Sequence, residues 1–166
     1  MEAIKAIKLR RSIRKFKKET IPDKAIKQIL EAGSWAPSGL NNQPWKFIVL
    51  EKDRKKALAD YTEYCHVIKS ADKAILIFLD KENSYNYEKD LMAIGACVQN
   101  MLLCIHSLGY GACWLGEILN QKKGVQGFLN TPKTLELEAV IALGKPLSPP
   151  KTGRRKQLKN LIIKPK

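Results

Sequence analysis

Two stretches in the first third of the chain carry residue types that do chemistry. Arg10, Arg11, Ser12 and Arg14 put three guanidiniums and a hydroxyl within five positions. An arginine offers a phosphate a planar fork of donors that stays charged at any working pH. Further on, Pro37, Ser38, Gly39, Asn41 and Gln43 stand in a polar loop that leads into Pro44 and Trp45. Glycine and proline punctuate such a loop, and its amides can donate to and accept from the edge of a heteroaromatic ring. A third stretch, Gly109 to Glu117, sets three glycines among apolar residues. It is too glycine-rich for a helix and too apolar for a plain surface loop, so its backbone is expected to approach something closely. The tail returns the basic theme with Arg154 and Arg155.

Each stretch also has a plainer reading. Basic runs are common on solvated surfaces and also suit nucleic acid. The polar loop also reads as a turn whose Trp45 packs in the core, which is compatible with Asn41 and Gln43 binding a ligand, the third stretch as a buried strand, and the tail arginines as a solvated end. Four such signals in one chain weigh more than any one of them.

The elements that must position these residues follow from periodicity. Ala3 to Leu9 reads as a short helix that delivers the arginines. A second helix is expected from Pro22-Asp23, a proline and an acid suited to a first turn, to Gly33. Phe47 to Leu50 reads as a strand, Arg54 to Tyr61 as a helix, and Ala74 to Leu79 as a buried strand, being uninterruptedly apolar between charged flanks. The longest element spans Tyr87 to Leu108 and stops at Gly109. Its Lys89, Asp90, Gln99, Asn100 and His106 make it a central buried helix instead of a bilayer span. Gly124 to Leu129 reads as a short helix and Glu136 to Leu143 as a strand. Helices alternating with a minority of strands give an α+β fold, a sheet flanked by helices.

Composition bounds the rest. A chain of 166 residues, 45% hydrophobic and without repeats, fits one domain over residues 1–166. The net charge of +14 favours anionic partners without choosing among nucleic acid, acidic membrane surfaces and phosphorylated small molecules. Cys65, Cys97, Cys104 and Cys113 form no CxxC pair, so no metal site is expected, and Cys97 and Cys104 read as small buried hydrophobes of one helix. Met1 to Leu9 lacks the apolar core of a secretory signal, which points to a reducing, cytoplasmic protein. His106 is expected to be a satisfied or interfacial residue of the long helix, and His66 lies in the stretch after Tyr64-Cys65.

The opening cluster and the amide loop together resemble the flavin-binding signature of the nitroreductase family, and the resemblance extends over nearly the whole chain. It implies a central, mostly antiparallel sheet packed by helices, in a homodimer whose long central helix is buried against its twin. It implies FMN held at the subunit interface, with NAD(P)H as electron donor and a nitroaromatic, quinone or similar small molecule as acceptor, and neither nucleic acid nor membrane as partner. Carried over by motif, Arg10 and Ser12 meet the phosphate end and Arg14 the pyrimidine side of the ring, with Arg11 close by. Pro37, Ser38, Gly39, Asn41 and Gln43 match the loop that the partner subunit lays against the isoalloxazine. Leu115, Gly116 and Glu117 align with the segment whose backbone amide faces flavin N5. Arg155, with Arg154 as neighbour, resembles the C-terminal basic residues that close on the phosphate. Relatives place an asparagine and a lysine near the flavin where this chain has Tyr64 and Val67.

The implied chemistry suits these residue types. Reduced flavin carries negative charge at N1 and C2=O, so a fixed cation such as Arg14 stabilises it, and a backbone N–H near Gly116 poises N5 for hydride. The cofactor carries the bond-making, so no side chain is expected as nucleophile or general acid. Two other readings stand beside this one: a flavin-binding relative with a specialised, non-reductase role, and a basic protein for nucleic acid or another polyanion. The last lacks the interleaved aromatics or recognition helix that nucleic-acid binding calls for.

Overall fold

A computed structural model describes residues 2–150 and 152–165. The described residues form a four-stranded sheet between two layers of helix. Strand β1 is Trp45–Glu51, β2 Lys73–Asp80, β3 Gly111–Leu115 and β4 Leu135–Gly144. The order is β1-β2-β4-β3 and every pair is antiparallel. The apolar run read as a buried strand occupies β2, every residue of which is buried. Because side chains alternate across a strand, β2 supplies both faces. Ile75, Ile77 and Leu79 pack on one side and Ala74, Leu76 and Phe78 on the other.

The first face is covered by α2 (Asp23–Ser34) and α5 (Tyr87–Ser107). In α5, Ala93, Ile94, Cys97, Val98, Met101, Leu102 and Ile105 recur at helical spacing and are buried. By length and composition α5 could cross a membrane; in this fold it is the core helix against α2 and the sheet. The second face is covered by α3 (Lys52–Leu58), α4 (Cys65–Ser70) and α6 (Lys122–Leu129), with Leu58, Val67, Ile68 and Val125 fully buried.

The short helix α1 (Ala3–Leu9) ends where Arg10 begins the basic segment. That segment is tied to the sheet: Ser12 bridges Ala112 of β3, Ile13 N–H donates to the Ala112 carbonyl at 2.8 Å, and Phe16 bridges Pro146 after β4. The glycine-rich stretch is a strand whose close neighbour is this same segment. A Cβ on Gly111 would lie 2.7 Å from Ile13 Cγ1, so only glycine lets the opening segment lie against β3.

The expected elements recur with shifted ends. The helix read over Arg54 to Tyr61 is α3 followed by a tight turn at Ala59–Tyr61. Helix α4 was not foreseen; with six residues it is too short to show periodicity. Trp45 is buried, as the plainer reading of the loop required.

Candidate functional site

The basic cluster gathers around the end of α1 and β3. Arg10 and Arg11 are half-buried and Ser12 and Arg14 exposed. Arg11 is held inward, its Nη1 donating to the carbonyls of Lys8 and Arg10, each at 2.7 Å. The tail comes back to meet it: Gly153 lies so close that a Cβ there would stand 2.4 Å from Arg11 Nε. Burial, then the charges of Arg155 and Arg11, lower the pKa of Arg10. The tail arginine felt at Arg10 is therefore Arg155, so Arg11 and Arg155 both lie within electrostatic reach of Arg10.

Like charges this close repel, and no arginine joins an ion pair among the described residues. Nε of Arg11 is buried without any hydrogen-bond partner among the described residues. A cluster of guanidiniums with no carboxylate and an orphaned buried donor is suited to a dianion such as a phosphate. The residues present thus fit the phosphate end of a flavin mononucleotide.

Strand β3 runs away from this end. Gly116 lies four residues past Ala112, about 13 Å along an extended chain. It is exposed, with nothing within 4 Å of where its Cβ would be. Leu115 is buried in the core, so only its backbone is available to a ligand. The Glu117 carboxylate is already engaged, accepting from Thr62 Oγ1 at 2.5 Å and Glu63 N–H at 3.1 Å. Of the two positions after the tight turn, Val67 is fully buried in the core and only Tyr64 reaches the surface.

The amide loop is held by its own bonds in a rare shape. Leu40, Asn41 and Gln43 have φ of 54°, 54° and 48°, a left-handed conformation that costs a bulky side chain about 1–3 kcal/mol. Ser38 Oγ accepts from Gln43 N–H at 3.0 Å, and Asn42 Nδ2 donates to Asp90 Oδ1 and to the Asn83 carbonyl, each at 2.9 Å. Gly39 lies directly beneath the Tyr85 ring, where a Cβ would stand 2.1 Å from the phenol oxygen. The result turns Leu40, Asn41 and Gln43 outward, and Pro37 is exposed beside them.

Asp90 is the anchor that sequence reasoning missed. It is wholly buried in the first turn of α5 and also accepts from Ser84 Oγ at 2.6 Å and Tyr85 N–H at 3.0 Å. The available signal was an acid inside an otherwise apolar helical face. Burial pushes its carboxyl up, but bonds from Ser84, Asn42 and the N–H groups of Asn86 and Tyr85 outweigh that and leave its pKa below the ordinary value.

Within one chain the two halves are apart. The loop hangs on Asp90 at one end of α5, whereas Arg10 and Arg11 line a cavity with His106 at the other. Sixteen residues of helix separate Asp90 from His106, about 24 Å.

A four-stranded antiparallel sheet with a long helix on one face, a loop and an arginine cluster at its two ends, agrees with what comparison with known proteins finds. The model of the Nitroreductase family matches residues 7–73 and 61–145. The chain belongs to the nitroreductase family. A crystal structure from Desulfovibrio desulfuricans, of a protein named a nitroreductase and in complex with FMN, superposes with TM-score 0.92. It is 46% identical in sequence, over 98% of this chain and 96% of that one. A protein of Archaeoglobus fulgidus named NADH dehydrogenase/NAD(P)H nitroreductase is 33% identical over 87% of this chain and 86% of its own length. An iodotyrosine deiodinase of Thermotoga neapolitana is 28% identical over 86% of this chain and 87% of its own.

Proposed function

We propose that the protein is a homodimeric, cytoplasmic FMN-dependent oxidoreductase, one domain over residues 1–166, that takes electrons from NAD(P)H and gives them to a small acceptor such as a nitroaromatic or a quinone. The observation that carries the reading is the set of guanidiniums, Arg10 with Arg11 and Arg155 in electrostatic reach, which beside an edge strand has no carboxylate paired to it among the described residues. The family and the FMN complex of the Desulfovibrio relative support it.

When bound, FMN supplies hydride transfer between NAD(P)H and the acceptor. The chain's own residues would bind and orient it. Arg10, Ser12 and Arg155 hold the phosphate, with Arg11 beside them, and Arg14 offers a fixed cation to the pyrimidine side of the ring. The exposed backbone at Gly116, just past the end of β3, would face the ring. Ser38, Asn41 and Gln43 sit too far from these groups to serve the same ligand in one chain, which is the reason for a dimer. A second copy would bring its loop to the first copy's arginines.

Exposed apolar residues support that assembly. On α5, Met92 is 70% exposed and Gly95 faces open space, and in the tail Leu161, Ile162 and Ile163 are all uncovered. Apolar surface of this extent is what an interface between copies would bury. The visible spectrum tests the reading: the purified protein, or apoprotein given FMN, is expected to show bound oxidised flavin that bleaches with NADH or NADPH. A protein that takes up no FMN overturns it.

A further inference from the structure

The cavity behind the arginines holds a group that the flavin reading leaves unused. It encloses about 260 Å3 between the opening segment and the last turn of α5, with Arg10, Arg11 and His106 as polar lining and Leu102, Ile105 and Tyr110 among its apolar walls. His106 is one of its lining residues, and its Nε2 is buried with no hydrogen-bond partner among the described residues. The ring was expected to be satisfied or interfacial; in one copy of the chain its outer nitrogen is unmatched. A buried polar atom without a partner is unfavourable and marks a place where something is to be bound.

The groups around the ring are all cationic or neutral. Arg10 and Arg11 come from the opening segment, Arg155 stands beside Arg10 from the tail, and Tyr110 lines the cavity with Lys145 Nζ over its ring at 5.8 Å. No carboxylate lines the cavity among the described residues. Burial first, then Arg10 and Arg11, lower the pKa of His106, which favours the neutral ring in the free protein. A dianion seated on the two arginines reverses that field, because it offsets their charge and attracts an imidazolium.

We infer that His106 is a further phosphate-binding side chain: when the arginines capture a phosphate, its ring takes a proton from solvent and donates from Nε2 to the bound anion. This rests on the flavin reading for the identity of the phosphate. The sign is fixed by the order of the two states. The midpoint of His106 is low in the free protein and higher in the complex, so between them binding takes up as much as one proton. Relative to a chain lacking this group, FMN then binds up to tenfold more tightly for each unit by which the pH falls across that window. The ligand's own second phosphate ionisation, near pH 6, falls in the same region; comparison with His106→Gln removes it.

The chain has two histidines, so the ring signals of the intact protein are assigned with one His66→Gln variant. The His106 titration midpoint is expected to rise on adding FMN and to stay put with riboflavin, which lacks the phosphate. His106→Gln is expected to weaken FMN binding several-fold more at pH 6 than at pH 8 and to leave riboflavin binding unchanged. A midpoint that is unmoved or falls on FMN loading overturns the inference, as does an equal effect of His106→Gln on both flavins. The same titration with inorganic phosphate separates the two readings. If FMN is refused yet phosphate raises the midpoint, the flavin reading fails and the role of His106 stands.

Discussion

At the scale of single residues, the arginines are the groups whose removal should separate ligand binding from folding. Arg10 is half-buried, feels the charges of Arg155 and Arg11, and makes no ion pair among the described residues. Arg10→Ala therefore relieves repulsion in the free protein while deleting charge-assisted bonds to a phosphate. Those bonds are worth about 1.5–3 kcal/mol each. FMN is expected to bind some 10- to 100-fold more weakly, thermal stability to hold or rise slightly, and riboflavin affinity to change little; flavin fluorescence titration of the apoprotein measures all but the stability. Much of this was legible, because three arginines and a serine in five positions are chemistry in any fold. What the residue list could not say was which tail arginine returns to the cluster. That depends on Gly153 packing against Arg11, a contact across more than a hundred residues of chain. Nor could it remove Val67 from the surface, since the burial of Val67 is set by the unforeseen helix α4.

At the scale of elements, two junctions position the site, and each makes a prediction. The first is Gly111 against Ile13. Gly111→Ala places a methyl 2.7 Å from a side-chain carbon, so the opening segment must lift from β3 and carry Arg10 and Ser12 with it. FMN affinity is expected to fall while circular dichroism stays close to native. The second is Asp90 beneath the amide loop. Asp90→Ala removes the buried acceptor shared by the half-buried Asn42 amide and Ser84 hydroxyl and is expected to cost about 3 kcal/mol in denaturant unfolding. Asp90 also makes the protein acid-sensitive in a stated direction. Its folded pKa lies below the unfolded one, so its contribution is complete above about pH 4 and is lost as the pH falls through the depressed folded value. Asp90→Asn is expected to flatten the stability profile in that window.

The strand β2 and the helix α5 were legible because each carries a long, unbroken pattern. The left-handed turn at Leu40 was not, since leucine has no preference for that conformation and acquires it only through Ser38, Asn42 and Asp90.

At the scale of the whole molecule, the proposed dimer would complete the site through the open face of α5. Met92, Gly95 and Gln99 form a stripe one helical turn apart that the chain's own core leaves uncovered. Met92→Lys combined with Gln99→Glu puts charge on that stripe without touching the buried side. Sedimentation is expected to show monomers, and those monomers to have lost FMN. A double variant that remains dimeric and yellow would move the interface elsewhere. The fold class was legible from alternating elements, and the family resemblance already gave the loop to the partner's flavin; what the sequence did not show was how the fold holds arginines and loop apart. The separation arises from α5 being one uninterrupted helix of 21 residues with the two half-sites at its ends.

That separation has a genetic reading. In the proposed dimer each copy lends its loop and keeps its arginines, so a lesion in either half damages both sites of a homodimer. Co-expression of an Arg10→Ala chain with a Gln43→Ala chain would instead sort the lesions. In the mixed dimer one site receives both defects and the other receives neither, so the purified mixed dimer would regain half of full flavin occupancy where neither homodimer does.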